Sequence, residues 1–130
     1  DKRVDLTVVE KYKPTLDGSF VDVKNGKVVD WIHKKQRTPD FVIETKYKTV
    51  NIHKFSKPFV EKTLVPILKK HVDEANGTEP IEFVMKDIVT NTKSNIGAFE
   101  VGKIKWFEID DVNDLAIAEK IFKNSIRRIY

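Results

Sequence analysis

The stretch Lys105-Trp106-Phe107-Glu108-Ile109-Asp110-Asp111-Val112-Asn113-Asp114-Leu115 sets carboxylates beside aromatic and aliphatic side chains. Read with the two-residue period of a strand, Trp106, Glu108 and Asp110 share one face, and Phe107 and Ile109 share the other. Leu115, Ala118, Ile121 and Phe122 then recur at helical spacing, with Asp111 and Asp114 where an N-cap and a third helical residue belong. A carboxylate thus closes a strand where a helix opens. In open α/β sheets ligands collect outside the carboxyl ends of strands, so Asp110 is positioned to handle a metal ion or a phosphate. The competing assignment for Asp110 or Asp111 is a helix cap alone.

The elements that would position these residues follow from periodicity and turn chemistry. Residues 4–9 are rich in β-branched side chains and predict an internal strand. Pro14 and Asp17-Gly18 mark a loop, and Asn25-Gly26 between residues 20–23 and 27–32 is a strong hairpin signal. The basic run His33-Lys34-Lys35-Gln36-Arg37 is either a solvated loop or an anion site. Residues 46–55 form a second clear strand, with Thr49, Asn51, His53 and Phe55 on one side. Ser56 caps a helix with Pro58 in its first turn and a stripe of Phe59, Val60, Leu64, Ile67 and Leu68, and Pro66 predicts a kink or break. Asn76-Gly77 ends that segment. Thr78-Glu79-Pro80 opens another helix, with Ile81, Val84, Met85 and Ile88 facing inward. Residues 96–101 form a strand leading through Gly102 towards Trp106, a helix covers 112–122, and Arg127-Arg128-Ile129-Tyr130 is a basic tail. Strands followed by helices, then mixed, predict an α/β fold.

Size and composition narrow the classes. The 130 residues predict a single domain, 1–130, with 24 Lys and Arg against 20 Asp and Glu, a modest basic excess that suits an anionic ligand. The absence of cysteine excludes disulfides and thiolate chemistry and fits a cytoplasmic chain. No apolar run is long enough to span a membrane, and Asp1-Lys2-Arg3-Val4 is not a signal peptide. A strand so close to the first residue predicts a piece of something longer. The glycines stand too far apart for a phosphate-cradling loop, and His33, His53 and His71 lack metal-ligand spacing. The Lys and Arg are scattered and no base-stacking motif occurs, so nucleic acid is not the expected partner.

Three blocks together carry a resemblance. Lys11-Tyr12-Lys13-Pro14 with Asp17-Gly18 forms the first. Tyr47-Lys48-Thr49-Val50-Asn51-Ile52 with Lys54-Phe55-Ser56 is the second. Lys105 to Asp110 with Asp114-Leu115 and Ala118-Glu119 is the third. In order and approximate spacing they resemble the phosphocholine and 2-aminoethylphosphonate cytidylyltransferases of the sugar-phosphate nucleotidyltransferase superfamily. The likeness runs from about Val4 to Phe122 and corresponds to the C-terminal, acceptor-side half of those enzymes. Their N-terminal half, with a glycine-rich nucleotide loop, a catalytic Lys and a first metal-binding Asp, has no counterpart in this sequence.

The resemblance implies part of a three-layer Rossmann-like α/β fold, a mixed sheet with flanking helices and a β-hairpin. It implies transfer of CMP from CTP, or of another nucleotide from its triphosphate, to a phosphocholine, aminophosphonate or sugar-phosphate acceptor, with release of pyrophosphate. Mg2+ is the implied cofactor, with Asp110 as the metal-binding residue. Lys48, Asn51, Glu108, Trp106, Glu82 and Asp17 are the implied acceptor contacts, and no catalytic residue is assigned within this chain. Strand alternation sets Lys48 and Asn51 on opposite faces, so only one can point straight into the site unless the strand bulges or only begins at Lys48, and Asn51 is the preferred contact. Two departures bear on the acceptor: Pro80 and Ile81 stand where an aromatic pair precedes the glutamate matching Glu82, and His53 replaces a tyrosine. They weaken a choline cage and leave an aminophosphonate or a sugar phosphate open. The chain alone is expected to be inactive, needing the first half or a second copy as a partner. The alternative is a stand-alone binding or assembly module, distinguished by whether the sheet edge near residues 4–9 and 50–52 is left open.

Overall fold

The structure, a computed structural model, describes residues 3–123, and the basic tail Arg127–Tyr130 lies outside that range. Two compact units are present, one running through Glu100 and the other from Val101 onward, and each is described by itself.

The first unit is a closed five-stranded barrel. Its strands are β1 (Leu6–Lys11), β2 (Phe20–Lys24), β3 (Lys27–Ile32), β4 (Tyr47–Lys54) and β5 (Gly97–Glu100), ordered β1-β4-β2-β3-β5 around the barrel. The β2–β3 hairpin turns at Asn25 and Gly26, with φ of 52° and 72°, the paired positive values that a tight hairpin turn demands. β1 is antiparallel to β4 on one edge and parallel to β5 on the other, which closes the barrel.

This architecture corrects the expected three-layer Rossmann-like sandwich. Such a sheet is open and mostly parallel, with helices on both faces. Here β1–β5 is parallel, whereas the β1–β4, β2–β3, β2–β4 and β3–β5 pairings are antiparallel, and the strands curl onto themselves. The helices follow β4. Ser56 Oγ accepts the Phe59 N–H at 3.3 Å and opens α1 (Lys57–Phe59), with Pro58 in the first turn. The chain continues through a π-helical turn (Val60–Leu64) into α2 (Val65–Ala75). The kink or break expected at Pro66 is not an interruption: Pro66 stands in the first turn of α2, directly after the widened turn, and the flanking backbone stays helical. Asn76 (φ 50°) and Gly77 (φ 70°) end α2 in left-handed conformations. In α3 (Ile81–Asn91), Val84, Met85 and Ile88 are buried and join Phe59, Val9, Val21, Val28 and Trp31 in one core. Ile81, expected to face inward, is 51% exposed, because the helix begins there and its first turn lies outside the core.

The second unit holds α4 (Val112–Phe122), with the predicted bounds. The strand expected at Trp106–Ile109 is absent. Residues 104–109 have no regular structure, Trp106 and Phe107 are half-buried, and Ile109 is exposed. A short alternation does not make a strand without a neighbour to pair with.

Barrel closure depends on a glycine. Arg3 donates to Gly26 O at 2.6 Å and to Ala98 O at 2.9 Å, crossing directly over Gly97. A Cβ at Gly97 would meet Arg3 NH1 at 2.7 Å and Leu6 Cδ2 at 2.8 Å. Gly97→Ala is therefore expected to lower stability by about 1–3 kcal/mol, the usual cost of overpacking. Urea denaturation checks this, and Arg3→Ala combined with Gly97→Ala should recover part of the loss.

Candidate functional site

The turn Asp17-Gly18-Ser19, leading into β2, gathers charged side chains from several elements. Asp17 Oδ2 accepts from Lys34 Nζ at 2.5 Å, and its Oδ1 lies 3.7 Å from Arg37 NH2. The Lys34 hydrogen bond, followed by the Gly18 backbone N–H, lowers the Asp17 pKa below the usual carboxylate value. Arg37 also donates to Gly18 O at 2.9 Å, and its guanidinium lies 5.5 Å from the Phe20 ring centre and 5.0 Å from that of Phe41. These rings hold the planar cation without competing for its N–H groups.

Lys48, on β4, is 4% exposed, and its Nζ donates to Thr49 O at 2.9 Å. Gly18 has φ +107°, and a Cβ there would stand 3.3 Å from Lys48 Nζ, so glycine lets the ammonium approach the turn. Ser19 closes the other side: its hydroxyl donates to Glu82 Oε1 at 3.1 Å, and its carbonyl lies 3.4 Å from the Thr49 N–H and 3.3 Å from Thr49 Oγ1. The Thr49 hydroxyl is also 3.4 Å from Asn51 Oδ1. Asp17, the β4 residues Lys48 and Asn51, and Glu82 thereby come together around one turn.

Asn51 occupies an irregularity in β4. Thr7 pairs with His53 and Val9 with Thr49, so residues 50–52 oppose Val8 alone, and Asn51 takes φ 60°. This is a β-bulge, and along β4 Lys48 is buried whereas Asn51 is exposed. Asparagine tolerates the left-handed conformation better than most residues. Further along β4, the His53 ring stacks on Phe55 at 5.3 Å and contacts Thr7 Oγ1 at 2.9 Å, and desolvation lowers its pKa.

Trp106, Glu108 and Asp110 belong to the second unit. Asp111 is the cap of α4, accepting the Asn113 and Asp114 N–H groups at 2.7 and 3.0 Å. The Asp110 N–H donates to Asp114 Oδ2 at 3.0 Å. The cap is thus supplied by Asp111, and the exposed Asp110 carboxylate is not spent on it. Among the described residues no group of three or more His, Cys, Asp or Glu side chains is assembled to hold a metal.

Lys34, Arg37, Ser19 and Thr49 were not among the residues expected at the site. Lys34 and Arg37 lay in a basic run open to two readings. A 3-10 turn (Lys34–Gln36), capped by His33 Nδ1 accepting the Lys35 N–H at 3.2 Å, shapes that run beside Asp17. No helix among the described residues is long and apolar enough to cross a membrane. No protein-family profile, curated protein or solved structure matches the chain.

The backbone at Asn51 separates conformation from contact. Alanine at φ 60° costs about 1–2 kcal/mol relative to glycine, so Asn51→Ala should unfold at lower denaturant than Asn51→Gly although both remove the amide. Equal midpoints in chemical denaturation would contradict the left-handed assignment.

Proposed function

We propose that this chain binds the phosphorylated acceptor of a nucleotidyl transfer, with CTP or a related triphosphate as donor. The observation that carries the reading is the linkage of Asp17, Lys48, Asn51 and Glu82 around one turn, with Lys34 and Arg37 beside them. Those cations suit a phosphate or phosphonate, and Arg37 offers planar, paired donors. Glu82, held by Ser19, suits an ammonium group on the same ligand. A zwitterionic aminophosphonate or phosphocholine matches both charges, whereas a sugar phosphate matches the cations alone.

In the proposed reaction an acceptor phosphate or phosphonate oxygen forms a bond to the α-phosphorus of the triphosphate, and the bond to pyrophosphate breaks. This chain's contribution is to hold the acceptor oxygen in line and to screen its charge from the approaching triphosphate. The glycine-rich loop, catalytic Lys and first metal carboxylate of the resembled enzymes have no counterpart in this sequence. Transfer therefore requires those groups from another segment or chain, and this chain alone should release no pyrophosphate.

A second reading, a non-catalytic binding module, is favoured by one specific observation. β1 is paired on both edges, so the unit through Glu100 needs no added strand to complete its sheet. Both readings require ligand binding at the Asp17–Ser19 turn, and they differ over transfer.

Isothermal titration with phosphocholine, 2-aminoethylphosphonate and glucose 1-phosphate, with and without Mg2+, tests the site. Lys48→Met should weaken binding of all three by about tenfold or more, as expected for losing a charge-assisted hydrogen bond. Glu82→Gln should weaken only the two ligands that carry a cationic nitrogen. Absence of binding by every ligand, or equal affinity for wild type and Lys48→Met, would refute the assignment.

A further inference from the structure

His71 in α2 has a carboxylate at each ring nitrogen. Nδ1 is in hydrogen-bond contact with Glu79 Oε2, in the loop before α3, and Nε2 is 2.9 Å from Asp87 Oδ2 in α3. The side chains are largely shielded, with exposures of 15% for His71, 26% for Glu79 and 20% for Asp87. The other groups at this cluster are Lys70 Nζ, 4.0 Å from Asp87 Oδ2, and Asn91 Nδ2, which donates to Asp87 Oδ1 at 2.7 Å. The two carboxylates flank opposite edges of the ring and do not converge on one point, which is the wrong geometry for a shared metal ion.

A neutral imidazole has one N–H and one lone pair. It can donate to Glu79 or to Asp87, and its second nitrogen then turns a lone pair towards the remaining carboxylate. The imidazolium donates to both. Its charge state therefore decides whether α2 is tied to the following loop and to α3 together, or to only one of them. Glu82 lies in the first turn of α3, between the two carboxylate residues in sequence.

We propose that protonation of His71 fastens the start of α3 to α2, and so sets with pH how firmly Glu82 is held at the Asp17–Ser19 turn. The effect on ligand rests on the acceptor reading, whereas the fastening does not. The contact with Glu79 is the leading cause that raises the His71 pKa above 6.5, and Asp87 adds to it against an opposing desolvation. A raised histidine contributes stability that is complete below the unfolded value and is lost as pH rises through the folded value. His53, shifted the other way, acts below its unfolded value, so the two histidines occupy separate pH windows. The lowered Asp87 pKa, caused first by Asn91 and then by His71, affects only more acidic solutions.

The test combines imidazole NMR titration of the whole chain with thermal melts between pH 6.5 and 8.5, for wild type, His71→Gln, Glu79→Gln and Asp87→Asn. The His71 midpoint should lie above 6.5 and shift down in each carboxylate variant. Wild type should melt at lower temperature as pH rises through this window, and His71→Gln should lose that slope. A His71 midpoint at or below 6.5, or an unchanged slope in His71→Gln, would overturn the proposal. Titration of phosphocholine at pH 6.5 and 8.5 separates the two ideas. Weaker binding at the higher pH supports the link to Glu82, and pH-independent binding overturns it. Absence of binding at both pH values beside a normal His71 titration rejects the acceptor reading while leaving the fastening supported.

Discussion

The pairing of β1 on both edges is the constraint from which the first unit's geometry follows. Leu6, Thr7 and Val9 pair with β4 on one side and with β5 on the other, and Arg3 reaches from the strand's approach to the hairpin turn and to Ala98. Opposite Val8, β4 carries three residues, 50–52, and this irregularity places Asn51 in a left-handed conformation two residues from Thr49. Bulges commonly re-aim side chains where a barrel must turn, and this one lies beside the polar cluster.

The cluster depends on backbone as much as on charge. Gly18 admits the Lys48 ammonium, its carbonyl accepts from Arg37, and the Ser19 carbonyl meets Thr49. Lys48 is almost fully buried and is hydrogen-bonded to Thr49 O, as a buried ammonium must be. Asp17 holds Lys34 close, and that contact lowers the Asp17 pKa. Under the proposed function, an incoming phosphate would compete with Asp17 for Lys34 and Arg37. Ser19 ties this polar end to Glu82 and therefore to α3, whose opposite side is packed into the barrel core.

What could be read from sequence was local. Asn25-Gly26 declared the hairpin because both residues accept positive φ, Ser56 and Pro58 declared a helix start, and Asn76-Gly77 declared its end. Asp111 with Asp114 marked the start of α4. The barrel was not legible, because the parallel β1–β5 contact joins segments far apart in the chain and no residue type signals it. Trp106 to Ile109 misled for the opposite reason: the alternation is real but too short to distinguish a strand from an irregular segment. At the candidate site, Lys48, Asn51, Glu82 and Asp17 were named through a resemblance of motifs, and Lys34 and Arg37 were hidden in a basic run. Ser19 and Thr49 carry no distinguishing signal, since their roles arise only once β2 and β4 are side by side.

The central claim is that a phosphorylated ligand is received at the Asp17–Ser19 turn. Its most direct test is backbone amide NMR of the isotopically labelled chain during titration with 2-aminoethylphosphonate. The account predicts saturable shifts concentrated at Gly18, Ser19, Arg37, Lys48, Thr49 and Glu82, with little change at the far hairpin turn of Asn25 and Gly26. Shifts spread evenly over surface lysines, or centred away from these residues, would contradict it.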